Sequence, residues 1–94
     1  MAVGILILVL ELTGCHSLKE KRSRISPIIH RLHDQFNLSV SETAHQDAWH
    51  LTEISCALVS NDRTHIEKSL HEVVRYVESH WPDERIRQEK VEIY

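Results

Sequence analysis

Residues 2–12 read Ala2-Val3-Gly4-Ile5-Leu6-Ile7-Leu8-Val9-Leu10-Glu11-Leu12, and the conformation of this stretch decides the fold. In an extended chain Val3, Ile5, Ile7 and Val9 point one way, and Leu6, Leu8, Leu10 and Leu12 point the other. Both faces are apolar, so the stretch predicts a central strand covered on both sides. A lipoprotein export signal is the competing reading, because Leu12-Thr13-Gly14-Cys15 resembles a processing box. No Lys or Arg precedes the apolar run, and Glu11 interrupts it. It is also too short to cross a bilayer as a helix. The expectation is a strand in a cytoplasmic protein with no membrane partner.

Outward from this strand, Thr13 to His16 is a short connection. Ser17-Leu18-Lys19-Glu20 has the S-x-x-E spacing of a helix-capping box. Leu18, Ile25, Ile28, Ile29, Leu32 and Phe36 then recur at helical spacing. Pro27 falls inside this helix and should bend it, on the side away from the apolar stripe. Asn37 is a helix stop. Leu38 to Glu42 alternates as a half-buried strand, Thr43 to Ala48 is a polar connection, and Trp49 to Ser60 is a further strand. In that strand Ile54, Cys56 and Leu58 share one face and Ser55, Ala57 and Val59 the other. Asn61-Asp62 offers a cap for a second amphipathic helix carrying Ile66, Leu70, Val73, Val74, Val77 and Trp81, which Pro82 ends. Arg85 to Tyr94 is the last strand. Ile86 is out of phase with Val91 and Ile93, which suggests a bulge or a late start.

The order β-α-β-β-α-β, with both helices striped on one side, predicts an α+β ferredoxin-like sandwich spanning residues 1–94 as a single domain. Its four-stranded antiparallel sheet would carry two helices on one face, with the first strand between the third and fourth. The other sheet face would be bare. Monomers rarely leave a large apolar patch uncovered. A homo-oligomer, in the first instance a dimer, is therefore expected, with Ile5, Ile7, Val9 and Trp49 at its interface.

Composition narrows the function further. The 94 residues are 41% hydrophobic and 27% charged, ordinary for a globular chain, with a formal net charge of −3 when His is neutral. No global positive field advertises nucleic-acid binding. Eight His allow the charge to reverse sign near pH 6. Cys15 and Cys56 belong to no CxxC pair and are expected to be free thiols.

Four segments, in order, resemble a small bacterial family, the domain of unknown function DUF503, also called YlxP-like. They are Ser17-Leu18-Lys19-Glu20-Lys21-Arg22, then Phe36-Asn37-Leu38-Ser39-Val40-Ser41-Glu42, then Gln46-Asp47-Ala48-Trp49, and Val59-Ser60-Asn61-Asp62. The resemblance implies a ferredoxin-like fold and no established enzymatic activity. Its gene context, near translation initiation and ribosome maturation, implies contact with RNA or the ribosome. The chain departs from the family pattern at His45, His50 and Pro27.

Lys19, Lys21, Arg22 and Arg24 lie within six residues at the first helix start. With Ser17 and the free amides there, they form a candidate site for phosphate or an RNA backbone. The bland reading is a solvated face, although exposed cations at this end of a helix cost about 0.3–1 kcal/mol each. His45, Asp47 and His50 share the connection between the second and third strands and are the weak candidates for a metal or for acid–base work. His30 and His33 share a helix face but find no further ligands in the local pattern. Cys15 has no base beside it. The sheet lacks the paired aromatics of an RNA-recognition motif. No catalytic residue and no cofactor is expected. The reading is a non-enzymatic interaction module, in which the basic helix start contacts RNA or a ribosomal particle. The alternative is a metal- or ligand-binding protein or enzyme with its site at an oligomer interface.

Overall fold

A computed structural model describes all of residues 1–94. The elements are β1 (Ala2–Leu12), α1 (Leu18–Phe36), β2 (Ser39–Ala44), β3 (Leu51–Ser60), α2 (Arg63–His80) and β4 (Glu84–Ile93). The strands form one antiparallel sheet in the order β2-β3-β1-β4. The first strand is central, as the two apolar faces of residues 2–12 require.

Burial shows which face meets the helices. Leu6, Leu8, Leu10 and Leu12 are buried, whereas Val3, Ile5, Ile7 and Val9 are only half-buried. The expectation that both faces are covered therefore holds for one face in the single chain. Both helices lie on the even-numbered side, where Ile28 and Leu32 of α1 and Ile66, Leu70, Val73 and Val77 of α2 complete the core with Ile54 and Cys56. Gly4 marks the closest approach of α2 to β1. A Cβ there would collide with Ile66 Cγ2 and press on Leu70 Cδ1 at 3.1 Å.

The local signals act much as their spacing suggests. Asn37 ends α1 in the left-handed conformation, with φ 53°. Asp62 caps α2 by accepting from the amides of Thr64 and His65. The Ile86 phase change is a bulge: Val9 pairs with Gln88 and Leu10 with Ile86, leaving Arg87 extra. Pro27 is exposed and α1 continues through it. Two boundaries differ from expectation. β2 runs on to Ala44, which pairs with Glu53 past a bulge at Thr43, whose hydroxyl bonds the Ser55 and Glu53 side chains at 2.7 Å each. β3 begins at Leu51, so Trp49 lies in the connection.

Candidate functional site

The first turn of α1 is built as its sequence implies, with one variation. Ser17 Oγ accepts from the Glu20 amide at 3.0 Å, while the Glu20 carboxylate reaches back to the amide of His16 rather than of Ser17. The Glu20 amide, an orphan of the first turn, is thereby satisfied, while the carboxylate ties down the residue that precedes the cap.

The four cations that follow do not form one patch. Lys21 is 2% exposed. Its ammonium donates to the His45 carbonyl at 2.6 Å and pairs with Glu42 Oε2 at 2.9 Å. Thr52, fully buried, donates to the same carboxylate oxygen at 2.7 Å. Lys21 is thus a tie between α1 and the β2–β3 hairpin, with no free face for an anion. The sequence carries the signal for this: Lys21 precedes Ile25, Ile28 and Leu32 at spacings of four, three and four, so it belongs to the buried stripe. Glu42 alternates with Val40 on the same side of β2.

Arg24 is also engaged. Its Nε donates to Glu84 Oε1 at 3.0 Å, Nη2 contacts the same oxygen, and Nη1 donates to the Thr13 carbonyl at 2.7 Å. Burial works against its charge, but the hydrogen bond and charge of Glu84 outweigh that and hold the guanidinium above the ordinary arginine pKa. Glu84 is buried, so this pair pins the start of β4 to α1 and the β1–α1 turn. Of the expected anion site, Lys19 and Arg22 alone remain exposed cations.

His45, Asp47 and His50 are exposed on the connection between β2 and β3. Their backbones have structural work. His45 takes φ 63°, and its carbonyl faces Lys21; the His50 carbonyl accepts from the Leu12 amide at 2.8 Å. No three His, Cys, Asp or Glu side chains in the chain converge as a metal set. His30 Nδ1 donates to the Ser26 carbonyl and His33 Nδ1 to that of Leu38. Both thiols are free and buried, and burial pushes the Cys56 thiol up to about 12. No helix is long and apolar enough to cross a membrane.

The open sheet face is the largest feature without an internal partner. Register aligns its residues in rows across three strands. Ala57, Ile5 and Glu92 form one row; Ser55, Ile7 and Lys90 the next; Glu53, Val9 and Gln88 the third. The β3 residues beside Ile5 and Ile7 are therefore Ala57 and Ser55, whereas Ile54 and Cys56 lie on the helix side. Val59, 63% exposed, and Tyr94, 65% exposed, flank Val3. Trp49 is half-exposed beside the start of β3. A shallow groove of about 310 Å³ runs between β2 and β3, walled by Ser39, Ser41, Ser55, Ala57 and Ile5 among others.

Comparison with known proteins bears on both sequence and fold. A family model described as a protein of unknown function, DUF503, matches residues 3–90. The uncharacterized protein YlxP of Bacillus subtilis strain 168 is 41% identical over 63 residues, covering 67% of this chain and 68% of that protein. Among solved structures, an acylphosphatase from Bacillus subtilis superposes with a TM-score of 0.53 at 15% identity, over 100% of this chain and 86% of that one. At that identity the likeness is one of fold: the sandwich is ferredoxin-like.

Proposed function

The chain belongs to the DUF503 family of proteins of unknown function, and on that footing we propose that it is a non-enzymatic interaction module whose open sheet face joins copies of the chain to one another. The observation that carries this reading is the row of Val3, Ile5, Ile7 and Val9, half-buried on a face with no layer above it. Apolar surface of this kind is stabilised by being removed from water, at about 25 cal/mol per Å². Sedimentation at micromolar to hundreds of micromolar concentration tests it. The native chain should run as a dimer and Ile7→Lys as a folded monomer. A native chain that stays monomeric throughout would remove the reading.

Contact with RNA or a ribosomal particle is the second part of the reading. Lys19 and Arg22, exposed in the first two turns of α1, support it. Two joined copies would offer two such pairs, and linked weak contacts reinforce one another. Retention of ribosomal subunits or structured RNA should fall steeply with salt. Lys19→Ala with Arg22→Ala should abolish it. Retention that survives this double replacement would rule out the helix start as the contact.

A further inference from the structure

We propose that two copies pack sheet on sheet with their β1 strands running in the same direction along a shared two-fold axis, so that Lys90 of each copy reaches the partner's Glu53. This rests on the reading of the open face as a self-association surface and adds its geometry.

The size of the side chains in each column of the face points to this axis. On the open side β1 carries branched residues, Ile5, Ile7 and Val9. On its β3 flank the residues in the Ile5 and Ile7 rows are small, Ala57 and Ser55. On its β4 flank the corresponding residues are long, Glu92 and Lys90, followed by Gln88. Packed sheets stand about 10 Å apart, so small residues must face long ones for the layer to fill. An axis along β1 does this. It sets β1 on the partner's β1 and lays the long β4 column over the partner's small β3 column, beside the groove between β2 and β3.

Charge points the same way. Glu53 is the one acidic residue that β2 and β3 present on this face, and it is held by Thr43 Oγ1 at 2.7 Å. Lys90 stands one row away on the far side of β1, 61% exposed at its side chain, with its ammonium 3.2 Å from Glu92 Oε1 on its own strand. Its stem can lie along the partner's Ser55, with the ammonium turned from Glu92 to the partner's Glu53. An axis running across the strands, between the Ile5 and Ile7 rows, is the competing arrangement. It would pair Lys90 with the partner's Glu92. It also sets small residues against small ones, leaves a void over β3, and covers Glu53 with the partner's Val59. A void and a desolvated carboxylate both disfavour it. The face spans on the order of 600 Å² per copy from its strand count and length, which reaches the lower range of specific interfaces.

The test combines charge exchange with cross-linking on the intact chain. Lys90→Glu should weaken the dimer by about tenfold or more, and adding Glu53→Lys should restore it. Val9→Cys should be joined to its counterpart across the axis by a short bis-maleimide, because each Val9 faces the partner's Val9 across about 10 Å, too far for a direct disulfide. Crosswise packing places Val9 against the partner's Val3 instead. A chain that dimerises through this face, losing association with Ile7→Lys, but neither links through Cys at position 9 nor responds to the charge exchange, overturns the axis and leaves the self-association reading standing. A native chain that is monomeric, or a dimer indifferent to Ile7→Lys, overturns both. Circular dichroism on each variant establishes that it is folded.

Discussion

Replacing Lys21 by Met isolates the contribution of one buried charge. Met keeps most of the aliphatic stem and removes only the ammonium. What is left is a Glu42 carboxylate whose side chain is 18% exposed and a His45 carbonyl. Removing one partner of a fully buried pair costs about 3–5 kcal/mol. Here the loss is smaller. Glu42 retains the Thr52 hydroxyl and some water, and the His45 carbonyl retains the Ala48 amide at 3.0 Å. A loss of about 2–3 kcal/mol follows. At about 1 kcal/mol per molar urea for a chain of this size, the midpoint should fall by roughly 2–3 M with the slope unchanged. The double replacement Lys21→Met with Glu42→Leu removes both charges, and an apolar pair can replace a buried ion pair almost neutrally. It should recover most of the loss, which makes the coupling measurable as a double-mutant cycle. A Lys21→Met midpoint within about 0.5 M of the native one would refute the buried tie. The same variant separates structure from function: it should lower stability while leaving the salt slope of RNA retention unchanged.

Three further outcomes follow from the packing. Gly4→Ala should lose about 1–2 kcal/mol in urea melts, because overpacking against the stiff, branched Ile66 outweighs the gain in backbone entropy; an unchanged or raised midpoint would show that α2 can move aside. Ser17→Ala should cost about 1 kcal/mol as a lost helix cap, and a loss of RNA retention without a loss of stability would assign Ser17 to binding instead. For Cys56 the folded thiol ionises at about 12 and the unfolded one near the ordinary value of 9.0. Between these the unfolded chain has released a proton that the folded chain still holds. Stability should therefore fall as pH rises above 9.0, by up to about 1.4 kcal/mol per pH unit from this group, and Cys56→Val should remove that part of the slope. An identical alkaline profile in Cys56→Val would contradict the assignment.

The fold was largely legible because its signals are local. Two-residue periodicity in residues 2–12, the S-x-x-E cap, Asn37, Asp62 and the phase break at Ile86 each act within a few residues of themselves. What the helix start does was less legible, because its partners are remote. Arg24 meets Glu84 sixty residues away, and Lys21 meets Glu42 and the His45 carbonyl across a strand and a turn. Four cations close in sequence look like a patch until their angles around α1 are considered. Lys21 then falls on the buried stripe, and a buried Lys needs a carboxylate. The side of β1 that meets the helices was not legible, since the two sides are equally apolar. Gly4 on the even side, where a helix comes close, is the local clue that separates them.

The position of β1 has a consequence for how the chain is made. Each of its hydrogen-bonding edges is matched to a strand that comes much later, β3 on one side and β4 on the other. During synthesis this apolar ribbon leaves the ribosome before β3 and β4, and in the finished fold neither α1 nor β2 lies on its edges. Long-range pairing of this kind is slow and exposes the nascent segment to aggregation. Conditions that delay elongation should therefore lower soluble yield more than the stability of the finished fold would suggest, and a chaperone that shields extended apolar segments should restore it.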